Sequence, residues 1–186
     1  MEERINVVTF KNRPVTLLGP ALHIGDKAPD FQVVNLDLQP VSLADYQGKI
    51  KIICAVPSLD TPVCDTETRR FNQEAAKLND NIVILTVSLD LPFAQKRWCG
   101  AADITAVQVL SDYRERSFGL SYGVLIKELL LLSRSIFVVD SDNTITYIQH
   151  VSEITDEPDY AAVIEAANSL QIPIRQVPMD GICGGY

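Results

Sequence analysis

The residues of this chain with most chemistry to offer are its four cysteines, Cys54, Cys64, Cys99 and Cys183. A thiolate is a nucleophile, a metal ligand and a partner in disulfide exchange. No two of the four stand at C-x-x-C spacing, and the histidines, His23 and His150, lie far apart, so the usual zinc patterns are missing. Position must therefore tell the cysteines apart. Cys54 falls inside the apolar run from Ile50 to Val56, where an inert buried residue is expected. Cys99 lies between Trp98 and Gly100 near the end of a short helical stretch, where local opening is easy.

Cys64 is placed differently. The stretch Val56-Pro57-Ser58-Leu59-Asp60-Thr61-Pro62-Val63-Cys64-Asp65 joins the end of a buried strand to the start of a helix. Active groups collect at such carboxyl ends of sheet strands. Thr61 is a good N-cap and Pro62 suits the first helical position. Cys64 then falls at about the third helical residue, near unsatisfied backbone N–H groups and the positive end of the helix dipole. Both stabilise thiolate over thiol. Asp65 and Glu67 oppose this, and a cation would offset them; Arg69, Arg70 and Arg134 are the candidates. The plainer alternative is a small residue tucked under a helix start.

The elements that must position Cys64 follow from hydrophobic period and punctuation. Val7–Phe10 and Val15–Leu18, with a turn at 11–14, read as a β-hairpin, and Phe31–Val34 as a short strand. Ser42 and Asp45 resemble a capping box opening a helical turn. The centre alternates strand and helix: strands at 50–56, 82–88 and 107–110, helices at 62–78, 92–100 and 114–120. In the first helix Val63, Phe71, Ala75 and Leu78 are available for a buried side. Strands at 135–139 and 144–150 form an antiparallel hairpin, and an amphipathic helix follows at 158–170. Such alternation implies parallel pairing with right-handed crossovers. The expected fold is α/β, a mixed sheet with helices on both faces and an N-terminal hairpin. One domain fills 1–170, and 171–186, with Cys183, is an extension.

Bulk properties narrow the function. The chain has 186 residues, a formal charge of -8 and a pI near 4.7. Acidity argues against nucleic acid and anionic membrane as partners, and its simplest role is solubility. No apolar run approaches the ~20 residues that span a bilayer. The start, MEERINVVTF, lacks the marks of a secretory signal, so a cytoplasmic setting is expected.

Pro57-x-x-x-Thr61-x-x-Cys64 is similar to the peroxidatic signature of the peroxiredoxins. Ser88–Gln95, Arg97–Gly100, Ser133–Ser135 and Glu153–Tyr160 resemble the thiol peroxidase branch, whose members are atypical two-cysteine peroxiredoxins. The resemblance spans about residues 7–170. It implies a thioredoxin-like fold and a cytoplasmic antioxidant enzyme that needs no cofactor. Cys64 would be the peroxidatic cysteine and Cys99 the resolving one of the same chain. Thr61 would hydrogen-bond sulfur and peroxide, Pro57 would shield the sulfur, and Arg134 would stabilise thiolate and hold peroxide oxygens. The implied substrates are hydrogen peroxide and organic hydroperoxides, the reductant is of thioredoxin type, and the assembly is a homodimer. Closing a Cys64–Cys99 disulfide is expected to need partial unwinding around both residues.

Three other readings compete. A thiol–disulfide oxidoreductase would carry C-x-x-C at this junction, but Thr61 occupies the first position. A redox sensor would use the same two cysteines without turnover. A structural protein would have kept the motifs without their chemistry. Phe93 and Trp98 read as packing of a short helix, or else as an apolar approach for organic hydroperoxides.

Overall fold

The computed structural model describes residues 2–170. The expected extension 171–186, with Cys183, lies outside them. Strands β5 (Ile50–Ala55), β6 (Ile82–Ser88) and β7 (Gln108–Ser111) are parallel, joined by crossovers through helices α1 (Pro62–Ala75) and α2 (Pro92–Ala102). Antiparallel strands extend both sides. On one edge lie β9 (Ser135–Val139) and β10 (Ile145–His150); on the other β3 (Gln32–Val34) and β4 (Pro40–Ser42). The seven-stranded order is β10-β9-β5-β6-β7-β3-β4.

The central strands are largely apolar because both faces are covered, the buried Lys51 being held by the Asp140 carbonyl and Asn143. Every residue of β5 is buried, and alternate side chains serve opposite cores. Ile52 and Cys54 pack with Phe71 of α1 and with Tyr160, Val163 and Ala167. The last three are the buried residues of α4 (Tyr160–Ser169). Ile53 and Ala55 face Phe31, Phe118 and Tyr122 on the other side. Phe118 belongs to the short α3 (Ser117–Ser121). The mixed, helix-flanked sheet is thus the one the sequence alternation implies.

Two short strands escaped the sequence reading. One is β4. The other, β8 (Leu125–Ile126), pairs with the hairpin of β1 (Glu3–Phe10) and β2 (Arg13–Leu18) to make a separate three-stranded sheet. Two or three residues are too few to show a period. Asp45 does act as the expected box partner, accepting the Ser42 backbone N–H at 2.7 Å, though the turn it opens is a 3₁₀ turn, Leu43–Tyr46.

The hairpin is held on the main body by backbone bonds from Thr9 N–H to the Ser152 carbonyl (2.7 Å) and from Ile154 N–H to the Thr9 carbonyl (2.9 Å), and its tip by one carboxylate. Glu153 accepts from the backbone N–H groups of Lys11 (2.9 Å) and Asn12 (2.8 Å), and from the hydroxyls of Thr9 (2.8 Å) and Thr155 (2.7 Å). Lys11 and Asn12 are both left-handed, with φ of 52° and 60°, which points their N–H groups into one nest. Slight desolvation pushes the Glu153 carboxyl up, but hydrogen bonds from Asn12, Thr155 and Thr9 outweigh it and hold it at about 2. A depressed carboxyl lends stability above its unfolded value and loses it as pH falls through the folded one. The Lys11 and Asn12 amides are therefore expected to be protected from exchange at neutral pH and to open between about pH 4.5 and 2. Glu153→Gln should expose them already at pH 7; unchanged protection in that variant would refute the latch.

Candidate active site

Sequence punctuation builds the first turn of α1 as expected. Thr61 is the N-cap, Pro62 is the first helical residue and Cys64 the third. The buried face of α1 is then Cys64, Glu67, Thr68 and Phe71, which is helical spacing with polar groups in the first two turns. Val63, expected on the buried side, instead lines a cavity beside the site. The helix ends at Ala75 rather than 78, although Leu78 still packs on the core.

Thr61 does more than mark the helix start. Its side chain makes no capping hydrogen bond; Oγ1 lies 2.8 Å from Cys64 Sγ and 3.0 Å from the Ser58 carbonyl oxygen. One hydroxyl proton cannot serve both acceptors. A thiolate at Cys64 takes it. A thiol donates its own proton to Oγ1, and the hydroxyl then turns to Ser58. The same side chain thus suits both states of the sulfur.

Of the three candidate cations, the fold brings Arg134 to the sulfur, with Nη2 at 3.3 Å. Arg134 is fully buried. Its Nε donates to the Ile154 carbonyl at 2.9 Å, and Nη1 is ion-paired with the equally buried Glu67. The register explains its arrival. Ser135 pairs with Ala55, so Arg134 enters beside the carboxyl end of β5, where the Cys64 loop begins. Arg69 instead bonds Asp65 at 2.9 Å, and Arg70 stacks on Tyr160 with its guanidinium 3.9 Å from the ring centroid. Both carboxylates that opposed a thiolate are therefore paired.

Desolvation pushes the Glu67 carboxyl up to about 7, although Arg134 pulls it down. Burial alone would lower Arg134, but Glu67 and Cys64 outweigh it, so the guanidinium stays charged. Glu67 was read from sequence only as an opposing charge; its place on the buried helix face, three residues after Cys64, was the signal that it needed a buried partner.

Thr61 and Arg134 line a cavity of about 290 Å³, while the sulfur itself is fully buried behind them. Pro57, Pro62 and Val63 form one wall. Phe10, Lys11, Ile154 and Thr155 form the other, so the hairpin latched by Glu153 completes the enclosure. No local sequence pattern assigned Phe10 or Lys11 to the site.

Cys99 lies in the same apolar cluster as Cys64, with Val56, Leu59 and Val109. Cys54, Cys64 and Cys99 are all free. Burial pushes the thiols of Cys54 and Cys99 up from their ordinary value, and Cys54 is fully enclosed in β5 as expected of an inert residue. Phe93 lines neither the core nor the cavity, being 68% exposed, and Trp98 spends its indole N–H on Asp65 at 3.0 Å. Neither forms an approach to the sulfur. His150 bonds Ser135 Oγ at 2.8 Å; burial, with Arg4 nearby, lowers it to about 4, so it is neutral at pH 7.

A thiol at a helix N-terminus, flanked by a hydroxyl and a buried guanidinium on a thioredoxin-like sheet, defines a redox-active thiol protein. The redoxin family model matches residues 23–164, and the chain belongs to that family. It is 58% identical over 161 residues to a thiol peroxidase of Oceanobacillus iheyensis, covering 87% of this chain and 98% of the relative. A Bacillus subtilis thiol peroxidase is 55% identical over 163 residues, covering 88% and 97%. A peroxiredoxin-like protein from Aquifex aeolicus superposes with a TM-score of 0.85 at 41% identity, over 92% of this chain and all of that one. Thiol-dependent peroxidase chemistry comes with that membership.

Proposed function

We propose that this chain reduces hydroperoxides through Cys64, with Cys99 of the same chain resolving the oxidised sulfur. One observation carries the reading: the Cys64 sulfur receives a hydroxyl at 2.8 Å and a guanidinium at 3.3 Å, both from residues that line one cavity. The thiolate attacks the nearer peroxide oxygen. An S–O bond forms, the O–O bond breaks, and the departing oxygen takes up a proton to leave as water or alcohol. Charge grows on that oxygen in the transition state. Arg134, already charged and fixed by three contacts, needs no reorganisation to stabilise it. Pro57 keeps water from the sulfur, and Thr61 follows it from thiol to thiolate. The largely apolar walls favour organic hydroperoxides alongside hydrogen peroxide.

Cys64 sulfenic acid then condenses with Cys99 to a disulfide and water. A reductant of thioredoxin type restores both thiols by exchange. The expected setting is the cytoplasm, where thiols are kept reduced between turnovers. No helix among the described residues is long and apolar enough to cross a membrane. The working assembly is a homodimer, as expected from the family resemblance.

Peroxide consumption in the presence of thioredoxin, thioredoxin reductase and NADPH tests the reading. Cys64→Ser should abolish even the first turnover. Cys99→Ser should complete one turnover and fail to recycle, and Cys183→Ser should behave as wild type. Full activity in Cys64→Ser overturns the assignment. Loss of recycling in Cys183→Ser, with Cys99→Ser active, moves the resolving role to the tail.

A further inference from the structure

Cys64 and Cys99 each emerge from an intact helical turn, the first of α1 and the last of α2. A disulfide demands a narrow range of Cα separation and Cβ direction. Partial unwinding is expected at both, and the contacts around them indicate which turn of α2 yields first.

Asp65 directly follows Cys64, and Trp98 directly precedes Cys99. The Trp98 indole N–H donates to Asp65 Oδ1 at 3.0 Å. Asp65 Oδ2 accepts from Arg69 Nε at 2.9 Å. Arg69 reaches on to α2, where Nη1 donates to the Ala102 carbonyl at 3.1 Å and the guanidinium lies 5.7 Å from the Trp98 ring centroid. These groups tie the two helices together on both sides of the two sulfurs. They are half-exposed: the side chains of Arg69 and Asp65 are 44% and 34% accessible. Contacts so wet are individually weak.

The other end of α2 is held differently. Gln95 is fully buried, and its Nε2 donates to Ser88 Oγ at 3.0 Å and to the Leu110 carbonyl at 2.9 Å, both on the central sheet. The C-terminal end closes on Asp103 in the left-handed conformation, φ 55°, an uncommon one for a residue with a side chain. Thus α2 is riveted to the sheet at its start and clipped to α1 at its end. The clipped end opens first.

We propose that Asp65, Arg69 and Trp98 form a clasp that holds Cys99 on its helix and so sets how fast Cys99 reaches oxidised Cys64. The proposal rests on the roles of Cys64 and Cys99 given above. In the step concerned, the sulfenic acid of Cys64 loses its hydroxyl and Cys99 loses its thiol proton; one S–S bond forms, one water leaves, and no outside oxidant enters. The three residues act by position. Their bonds run to each other and to Ala102, and none supplies a group to the peroxide. While the clasp is shut, burial keeps Cys99 a thiol. Opening returns it to water, where it ionises more readily. A sulfenic acid that waits for Cys99 is open to a second peroxide, which takes it to sulfinic acid. The clasp therefore also sets the peroxide concentration at which the enzyme inactivates.

Trp98 is the only tryptophan in the chain, so its fluorescence reports on the clasp directly. Reduced full-length protein is mixed rapidly with hydrogen peroxide, and acid-quenched samples are followed by intact mass. The rate of sulfenic acid formation scales with peroxide; that of disulfide formation does not. Trp98→Phe keeps a ring, removes the N–H and changes no charge. Arg69→Met keeps the stem and removes both of its hydrogen bonds.

Each variant should speed the peroxide-independent step about two- to fivefold, the factor that exposed contacts of up to about 1 kcal/mol allow. Trp98→Phe should leave the peroxide-dependent step within about twofold, since it changes no charge, whereas Arg69→Met uncovers Asp65 beside Cys64 and should slow that step rather than speed it. Both should need more peroxide to inactivate. The double variant should gain less than the product, because both changes act through Asp65. In oxidised wild type, amides 98–103 should lose exchange protection while those around Gln95 keep theirs.

Wild-type disulfide rates in both single variants would overturn the clasp. So would a proportional change in the peroxide-dependent step, or opening at Gln95 as ready as at Trp98. A Cys99→Ser chain that resolves normally would be a different failure, of the cysteine roles themselves, read from a separate variant.

Discussion

Arg134→Met will slow the reaction of Cys64 with peroxide by about two to three orders of magnitude, the usual cost of removing one preorganised donor from a developing charge. Methionine keeps the length of the stem and most of its packing. What disappears is the donor 3.3 Å from the sulfur, the only guanidinium at that sulfur among the described residues, and its charge. The Ile154 carbonyl also loses its partner, and Glu67 is left a buried carboxyl without its partner, pushed further toward its neutral form. Breaking a buried pair from one side typically costs about 3–5 kcal/mol, so the single variant will also melt earlier. Arg134→Met with Glu67→Gln separates the two effects. The second change removes the orphaned acid and should return much of the stability, while the peroxide rate stays low. Stopped-flow rates and thermal melts on both variants decide the matter. A folded Arg134→Met chain that reacts at the wild-type rate would show that the guanidinium serves the fold alone.

Thr61→Val is expected to have the next largest effect. Valine matches threonine in shape and leaves the helix start intact, since the Thr61 side chain makes no capping bond. The sulfur loses a hydroxyl at 2.8 Å. A hydrogen bond to a charged group contributes about 1.5–3 kcal/mol, which corresponds to a fall of roughly 10- to 100-fold in the peroxide rate. The Ser58 carbonyl loses its donor as well, so the loop before α1 should loosen slightly. Thr61→Ser restores the hydroxyl and should recover most of the rate. Equal rates in the valine and serine variants would mean that the methyl group, rather than the hydroxyl, is what the site needs.

The two predictions rest on residues that were legible to different degrees. Thr61 and Pro62 announce a helix start by their chemistry alone, and that start places Cys64 whatever the rest of the chain does. The β-branched runs at 50–56 and 82–88 likewise announce buried parallel strands, because only a sheet covered on both faces uses such runs. The buried face of α1 was read less well. Hydrophobicity pointed to Val63, whereas the positions that turn inward are Cys64, Glu67 and Thr68. Pattern reading looks for apolar residues inside, and a site that buries a charge pair violates that rule.

By itself, then, the sequence determined the local frame: a strand end, a capped helix and a cysteine at its third position. The resemblance of separated motifs added Cys99 and Arg134 as partners. The tertiary structure decided which charges meet. Arg69 and Arg70 are nearest to Cys64 along the chain, but helical period turns both away from the buried face, to Asp65 and Tyr160. Arg134 is remote in sequence and arrives because β9 pairs with β5 in a register that sets Ser135 against Ala55. The hairpin residues Phe10 and Lys11 reach the cavity because the main chain of Thr9 pairs with residues 152–154 and Glu153 gathers the N–H groups of their turn. Helix starts and strand faces are set by neighbours a few residues apart, so they can be read locally. Strand register and hairpin docking are set by the packing of distant segments, and no short stretch of sequence contains them.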